Sequence, residues 1–221
     1  MNQSFAELGV HSALVQGLEK AGITMPTKIQ EEVIPEVLAG KDVVGQSATG
    51  TGKTLAFLLP LFQKIDHARR DTQAIVLAPT HELAMQIFRE AQLLADNSGL
   101  PVTAAVIIGD VNIARQIDRL KDRPHLLVGS SGRILELIQK RKINAQTVKT
   151  IVLDEADRLL DDNHRVSVAA IIKATQKDRQ LLAFSATIPA TALEKAVGIS
   201  NDAVVVTIAA TTAVPPEIEH L

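Results

Sequence analysis

A doubly wound α/β domain is predicted by three features of this sequence. Short β-branched runs alternate with longer amphipathic stretches, several runs are apolar on consecutive positions, and polar or glycine-bearing clusters follow six of the runs at the same end. In chain order, helical periodicity over His11–Ala21 and Thr27–Leu38 leads to a first strand, Asp42–Gly45. A helix over Lys53–Ile65 then precedes the strand Ala74–Ala78, and a helix over Glu82–Ala95 precedes the strand Val102–Ile108. The pattern continues with helix Asn112–Leu120, strand His125–Val128, helix Arg133–Lys140 and strand Thr150–Leu153. Helix Val166–Thr175, strand Gln180–Phe184, helix Ala190–Val197 and strand Ala203–Ile208 complete it. The tail Thr211–Leu221 loses periodicity and carries Pro215-Pro216, which reads as a linker.

Composition sets outer limits. A chain of 221 residues makes one large domain or two small ones. Lys plus Arg is 23 against 25 for Asp plus Glu, a formal charge of −2, which excludes a polybasic tail but leaves room for a local basic groove. With 46% hydrophobic residues the chain is too apolar for intrinsic disorder. The absence of cysteine removes disulfides and thiolate metal sites, and the scattered histidines lack ligand-like spacing, which argues against zinc. There is no apolar run of the roughly 18–20 residues that spans a bilayer, and Met1–Glu7 carries no signal-peptide features, so a soluble cytoplasmic protein is expected. Five Phe and no Trp or Tyr leave an aliphatic core and almost no base-stacking platform; a nucleic-acid ligand would be held by its backbone.

In a doubly wound sheet, ligands sit outside the carboxyl ends of the strands, so the residues after each strand carry the functional reading. After the first strand comes Ser47-Ala48-Thr49-Gly50-Thr51-Gly52-Lys53-Thr54, between a strand and a helix as a phosphate-binding loop requires. Its glycines let backbone N–H groups wrap phosphates, Lys53 reaches the terminal ones, and the Thr54 hydroxyl is placed for Mg²⁺. Ser47 stands where the strict pattern has its first glycine, and a chance Gly-Lys-Thr at a helix start is the competing reading. After Ile151-Val152-Leu153 comes Asp154-Glu155-Ala156-Asp157. Asp154 is assigned to the metal, partly through water, and Glu155 to general base; two acids capping the next helix are the bland alternative.

With these residues the chain resembles the first RecA-like lobe of the DEAD-box RNA helicases. Asp154-Glu155-Ala156-Asp157 reads out that family's name-giving motif. Ser47–Thr54 is similar to its A-x-T-G-x-G-K-T loop, which has no leading glycine. Ser185-Ala186-Thr187 resembles the motif that couples hydrolysis to strand separation, and Pro79-Thr80-His81-Glu82-Leu83-Ala84 resembles P-T-R-E-L-A. Gly22–Gln30 resembles the adenine-reading Q motif, with Phe5 at the place of its isolated upstream aromatic. The resemblance implies a RecA-like P-loop NTPase fold, a mostly parallel sheet of about seven strands with helices on both faces. It further implies ATP and Mg²⁺ as cofactors, adenine recognition by Gln30, and coupling by Ser185, Thr187 and Asp157. RNA backbone contacts fall to Pro79, Thr80, Gly109, Ser130, Gly132 and Arg133. The domain organisation it implies is a Q-motif region over 1–30, an ATP-binding domain over 31–209 and the start of an inter-lobe linker over 210–221. A second RecA-like lobe, the expected partner along with RNA, is not found in this sequence, so this lobe alone is expected to bind nucleotide, hydrolyse slowly and unwind nothing.

The departures bear on the same site. Ile23 replaces an aromatic that would stack on adenine, His81 replaces an arginine, Asp110 replaces a glycine where phosphate would approach, and Ser130-Ser131-Gly132-Arg133 replaces T-P-G-R. Three of these changes lie on the RNA path and imply weak or altered RNA contact. Two other readings stay open: a non-catalytic nucleotide-binding interaction module, and a P-loop ATPase lobe acting on another nucleic acid. The basic stretches Arg69-Arg70 and Lys140-Arg141-Lys142 read as solvated helix ends.

Overall fold

The computed structural model describes residues 3–109, 111–187, 196, 198–200 and 202–208. The expected helix 190–197, apart from Ala196, lies outside them, as do Asp110 and the tail 211–221. The described elements are α1 (Ser12–Lys20), α2 (Lys28–Leu38), β1 (Val43–Gln46), α3 (Lys53–Lys64), β2 (Ala74–Leu77), α4 (His81–Ser98) and β3 (Ala104–Ile107). They continue with α5 (Ile113–Leu120), β4 (Leu126–Gly129), α6 (Ser131–Gln139), a 3-10 turn (Ala145–Thr147), β5 (Thr150–Asp154), α7 (Ala156–Leu159), α8 (Arg165–Ala174), β6 (Gln180–Ser185) and β7 (Val204–Thr207). The seven strands form one sheet in the order β3-β4-β2-β5-β6-β1-β7, and every pairing in it is parallel.

Side-chain alternation along these strands fills two cores, one on each face. Ala74, Val76, Val152 and Leu182 join Leu14, Ile29, Phe57 and Ile87, so α1 to α4 cover one face. Ile75, Leu77, Ile151 and Leu153 join Ile134, Leu137, Val168 and Ile171, so α6 and α8 cover the other. In β2, β4 and β5 every residue is buried, which explains why they read as continuous apolar runs. The few aromatics serve this core: Phe5 is 2% exposed, and the Phe57 and Phe184 rings meet at 5.4 Å between centroids. No helix among the described residues is long and apolar enough to cross a membrane.

Of the boundaries that differ from expectation, two have clear local reasons. Helix α4 runs to Ser98 because nothing stops it before Gly99, whose φ of 69° gives the left-handed ending that glycine adopts freely. Helix α6 begins at Ser131, two residues early, because Ser130 already holds the extended backbone of an N-cap (φ −81°, ψ 140°). Helix α7 is a single turn that escapes periodicity altogether.

One buried histidine ties the amino ends of β3 and β4 together. His125 Nδ1 accepts from Thr103 N–H at 3.1 Å, and burial lowers its pKa. That acceptor role assigns the neutral tautomer with its proton on Nε2. Protonation would set N–H against N–H. A histidine whose folded pKa lies below its unfolded value stabilises the fold above the unfolded pKa, near 6.5, and loses that contribution as pH falls toward the folded one. Thermal unfolding should therefore show a midpoint that drops between pH 7 and 5, by less in His125→Gln; equal drops would remove His125 as the cause.

Candidate nucleotide and nucleic-acid site

At the carboxyl end of β1 the chain crosses to α3 through Ser47–Gly52. Gly50 and Gly52 hold φ of 77° and 91°, left-handed values that curl the loop around its own amides. Side chains fix the curl: Ser47 Oγ donates to Thr51 Oγ1 at 2.7 Å, and Thr51 Oγ1 donates to the Ala48 carbonyl at 2.8 Å. Lys53 Nζ donates to the Ser47 carbonyl at 2.7 Å, which aims the ammonium into the concave side. Burial lowers the Lys53 pKa, opposed by Asp154, Glu155 and Asp157. The loop is also pinned to β6, because Ser47 N–H donates to the Ser185 carbonyl at 3.0 Å.

Gln30 reaches the same loop from α2. Its Oε1 accepts from Thr27 N–H at 2.9 Å, closing the first turn of the helix. Its Nε2 donates to the Gly52 carbonyl at 2.9 Å. Gly52 has no room for a Cβ, which would run into the Gln30 amide and the Thr27 hydroxyl. Gln30 is 2% exposed, and one amide hydrogen and one oxygen lone pair remain uncommitted for a ligand. Ile23 packs against the core nearby in sequence.

Asp154 ends β5, two strands away from β1 across β6. Burial pushes its carboxyl up to about 6 while Lys53 opposes the rise. Its Oδ1 accepts from Glu155 N–H at 3.1 Å. Glu155 itself sits at φ 52°, a left-handed value that costs a non-glycine residue about 1–2 kcal/mol and swings the side chain out at the strand tip. Its Oε2 accepts from Arg158 Nη1 at 2.8 Å. Lys53, Thr54, Asp154 and Glu155 line one cleft of about 340 Å³.

The donor set suits Mg²⁺. The Thr54 hydroxyl and the buried Asp154 carboxylate are hard oxygen ligands that line one cleft with the Lys53 ammonium. Among the described residues no three acidic or histidine side chains form a cage.

Beyond β5 and β6, Thr187 Oγ1 donates to Asp157 Oδ2 at 3.3 Å and Ser185 Oγ donates to the Thr187 carbonyl at 2.7 Å. The three residues assigned to coupling thus form one connected chain beside the acidic tetrad.

The residues assigned to RNA gather at the carboxyl ends of β2, β4 and β3, which are adjacent. Thr80 caps α4, its Oγ1 accepting from Leu83 N–H at 3.2 Å. The His81 ring lies against Gly109, whose added Cβ would sit 3.2 Å from Nε2. Arg133 Nη1 donates to the Val111 carbonyl at 3.1 Å, and its Nε pairs with Glu136 at 3.1 Å. Ser131 is buried and accepts from Ser167 Oγ at 2.7 Å.

Three residues were not legible as functional. Glu90, on α4, lines the nucleotide cleft; burial raises its pKa and a hydrogen bond with Thr54 opposes the rise. Arg158 orients Glu155 from the next helical turn. Gln116, 2% exposed, grips the Gly109 loop by both backbone groups of Ile108, at 3.1 and 2.9 Å. Glu90 acts on a segment that only the fold brings near, whereas Arg158 and Gln116 act within three and eight residues but are residue types common on solvated helix faces.

Comparison with known proteins bears on the family and the fold. The family model of the DEAD/DEAH box helicases matches residues 27–196. The DEAD-box ATP-dependent RNA helicase CshC of Bacillus cereus is 48% identical over 174 residues, covering 79% of this chain and 44% of that protein. The ATP-dependent RNA helicase CshA of Limosilactobacillus reuteri is 43% identical over 185 residues, 84% of this chain and 37% of that one. This chain thus spans less than half the length of either relative. Among solved structures, a DEAD box protein from the hyperthermophile Methanococcus jannaschii superposes with a TM-score of 0.87 at 33% identity, over 94% of this chain and 56% of that one. Dbp5 of S. cerevisiae, bound to RNA and ADP BeF3, superposes with a TM-score of 0.85 at 31% identity, over 93% and 52%.

Proposed function

Because the chain belongs to the DEAD/DEAH box helicase family, we propose that it is the ATP-binding RecA-like lobe of an ATP-dependent RNA helicase, its Q-motif region over 1–30 and its ATP-binding domain over 31–209. The single observation that carries this reading is the convergence of Lys53, Thr54, Asp154 and Glu155 on one cleft, whose loop residue Gly52 is held by Gln30 from α2. In this reading Gln30 takes the adenine edge, the Ser47–Gly52 amides take the phosphates, and Lys53 meets the terminal ones. Thr54 and Asp154 would hold Mg²⁺, which when bound neutralises phosphate charge. Glu155, steadied by Arg158, accepts the proton of a water whose oxygen bonds to the γ-phosphorus as the bond to the β–γ bridging oxygen breaks. Ser185, Thr187 and Asp157 connect that cleft to the RNA side. There Thr80, Gly109, Ser130 and Arg133 follow the RNA backbone, and a second RecA-like lobe completes the machine.

The test is RNA-stimulated ATP turnover by the intact protein, with DNA as comparison. Stimulation by RNA and not DNA is expected; equal stimulation would favour a P-loop ATPase on another nucleic acid. Arg133→Ala should weaken RNA binding severalfold for every sequence and reduce the salt slope by about 1. Unchanged affinity and slope would remove Arg133 from the backbone path.

A further inference from the structure

The two basic stretches that read separately as solvated helix ends meet in the fold. Arg70 precedes β2, Arg123 precedes β4 and Lys142 precedes β5, and all three line one concave pocket of about 430 Å³. It lies at the amino ends of the strands, the opposite end of the sheet from the nucleotide cleft.

Charge pairing separates these three cations from their neighbours. On the adjacent turns, Lys121 holds Asp118 at 2.7 Å, Lys140 holds Glu136 at 2.6 Å and Arg69 holds Asp71 at 3.0 Å. Among the described residues Arg70, Arg123 and Lys142 have no such pair. The carboxylate that does line the pocket, Asp71, is the one already paired with Arg69.

The frame beneath them is fixed. Thr72 Oγ1 donates to the Pro124 carbonyl at 3.1 Å, Thr147 Oγ1 donates to the Thr72 carbonyl at 2.7 Å, and Lys142 N–H donates to the Leu137 carbonyl at 2.8 Å. Arg123 adopts φ 52°, a left-handed conformation where glycine would cost less.

We propose that this pocket is a second anion site, taking a ligand with adjacent phosphate groups. Three unpaired cations around a polar floor supply charge, and the volume admits a short phosphate chain. The lining holds no aromatic residue, so recognition is of phosphate and not of a base. A free polyphosphate and an RNA backbone share that chemistry. The inference does not depend on the function proposed for the nucleotide cleft.

Inorganic tripolyphosphate, titrated calorimetrically into the Lys53→Ala chain, tests the site with the phosphate loop disabled. Binding should weaken at least tenfold when Arg70→Gln, Arg123→Gln and Lys142→Gln are added, with unchanged circular dichroism because all three side chains are exposed. Its logarithm should fall with log salt at a slope of about 2, near 0.7 per contact. A control with Lys28→Gln, Lys41→Gln and Lys173→Gln should bind as its parent does. No binding, equal binding by the pocket variant, or equal loss in the control would overturn the proposal. A single-stranded oligoribonucleotide separates the sources: competition with tripolyphosphate and loss in the pocket variant identify an RNA backbone, while RNA binding indifferent to the variant identifies a small free polyphosphate.

Discussion

Glu155→Gln should lower ATP turnover by the intact protein by about 10²–10⁴, the usual contribution of a positioned general base, while nucleotide affinity stays within a few fold. The split follows from position. In the proposed reading Lys53 and the loop amides hold the phosphates, whereas Glu155 follows the end of β5 in a left-handed backbone conformation and lines the cleft beside them. Gln keeps the volume and can still accept from Arg158, so the loss would be in proton acceptance and not in packing. Steady-state turnover measured beside nucleotide titration checks it. Lost affinity would make Glu155 a binding residue, and retained turnover would place the base elsewhere, Glu90 being a further carboxylate of the cleft beside Asp154.

The second large effect is structural and lies on the RNA side. Gly129 ends β4 in register with Ile107 of β3, and a Cβ there would overlap the Ile107 carbonyl oxygen. Backbone cannot rotate aside as a side chain does. Because β4 is locked between β2 and β3, relief requires moving a strand. Gly129→Ala should cost about 3 kcal/mol or more, the upper part of the range for overpacking. That corresponds to a midpoint lowered by about 6–12 °C in a chain of this size. Gly132→Ala, in open space three residues on, should leave the midpoint unchanged or raise it slightly. Equal midpoints for both variants would contradict the close approach of β3 and β4.

The contrast between these two glycines shows where sequence reading stops. Strand and helix identity was legible because side-chain burial follows period: Ile75 and Leu77 go to one face, Ala74 and Val76 to the other. The residues proposed for nucleotide could be named from the sequence because they are local, Lys53 and Thr54 following β1 directly after one loop. Gln30 was legible only through its motif, and the structure adds that it bonds the loop it serves. Glu90, Arg158 and Gln116 were not legible, since helical glutamates, arginines and glutamines are common on solvated faces. The same holds for Arg70, Arg123 and Lys142, which share a pocket only because β2, β4 and β5 are neighbours.

The central claim is that one cleft reads both the phosphates and the adenine of its ligand. Calorimetric titration with Mg·ADP and then Mg·GDP, repeated on Lys53→Ala, tests it most directly, and suits a chain with no Trp or Tyr to report binding optically. Mg·ADP should bind, Mg·GDP should bind at least tenfold more weakly, and both should be lost in Lys53→Ala. Equal affinity for the two nucleotides would contradict adenine reading by Gln30, and nucleotide binding that survives Lys53→Ala would contradict the phosphate loop itself.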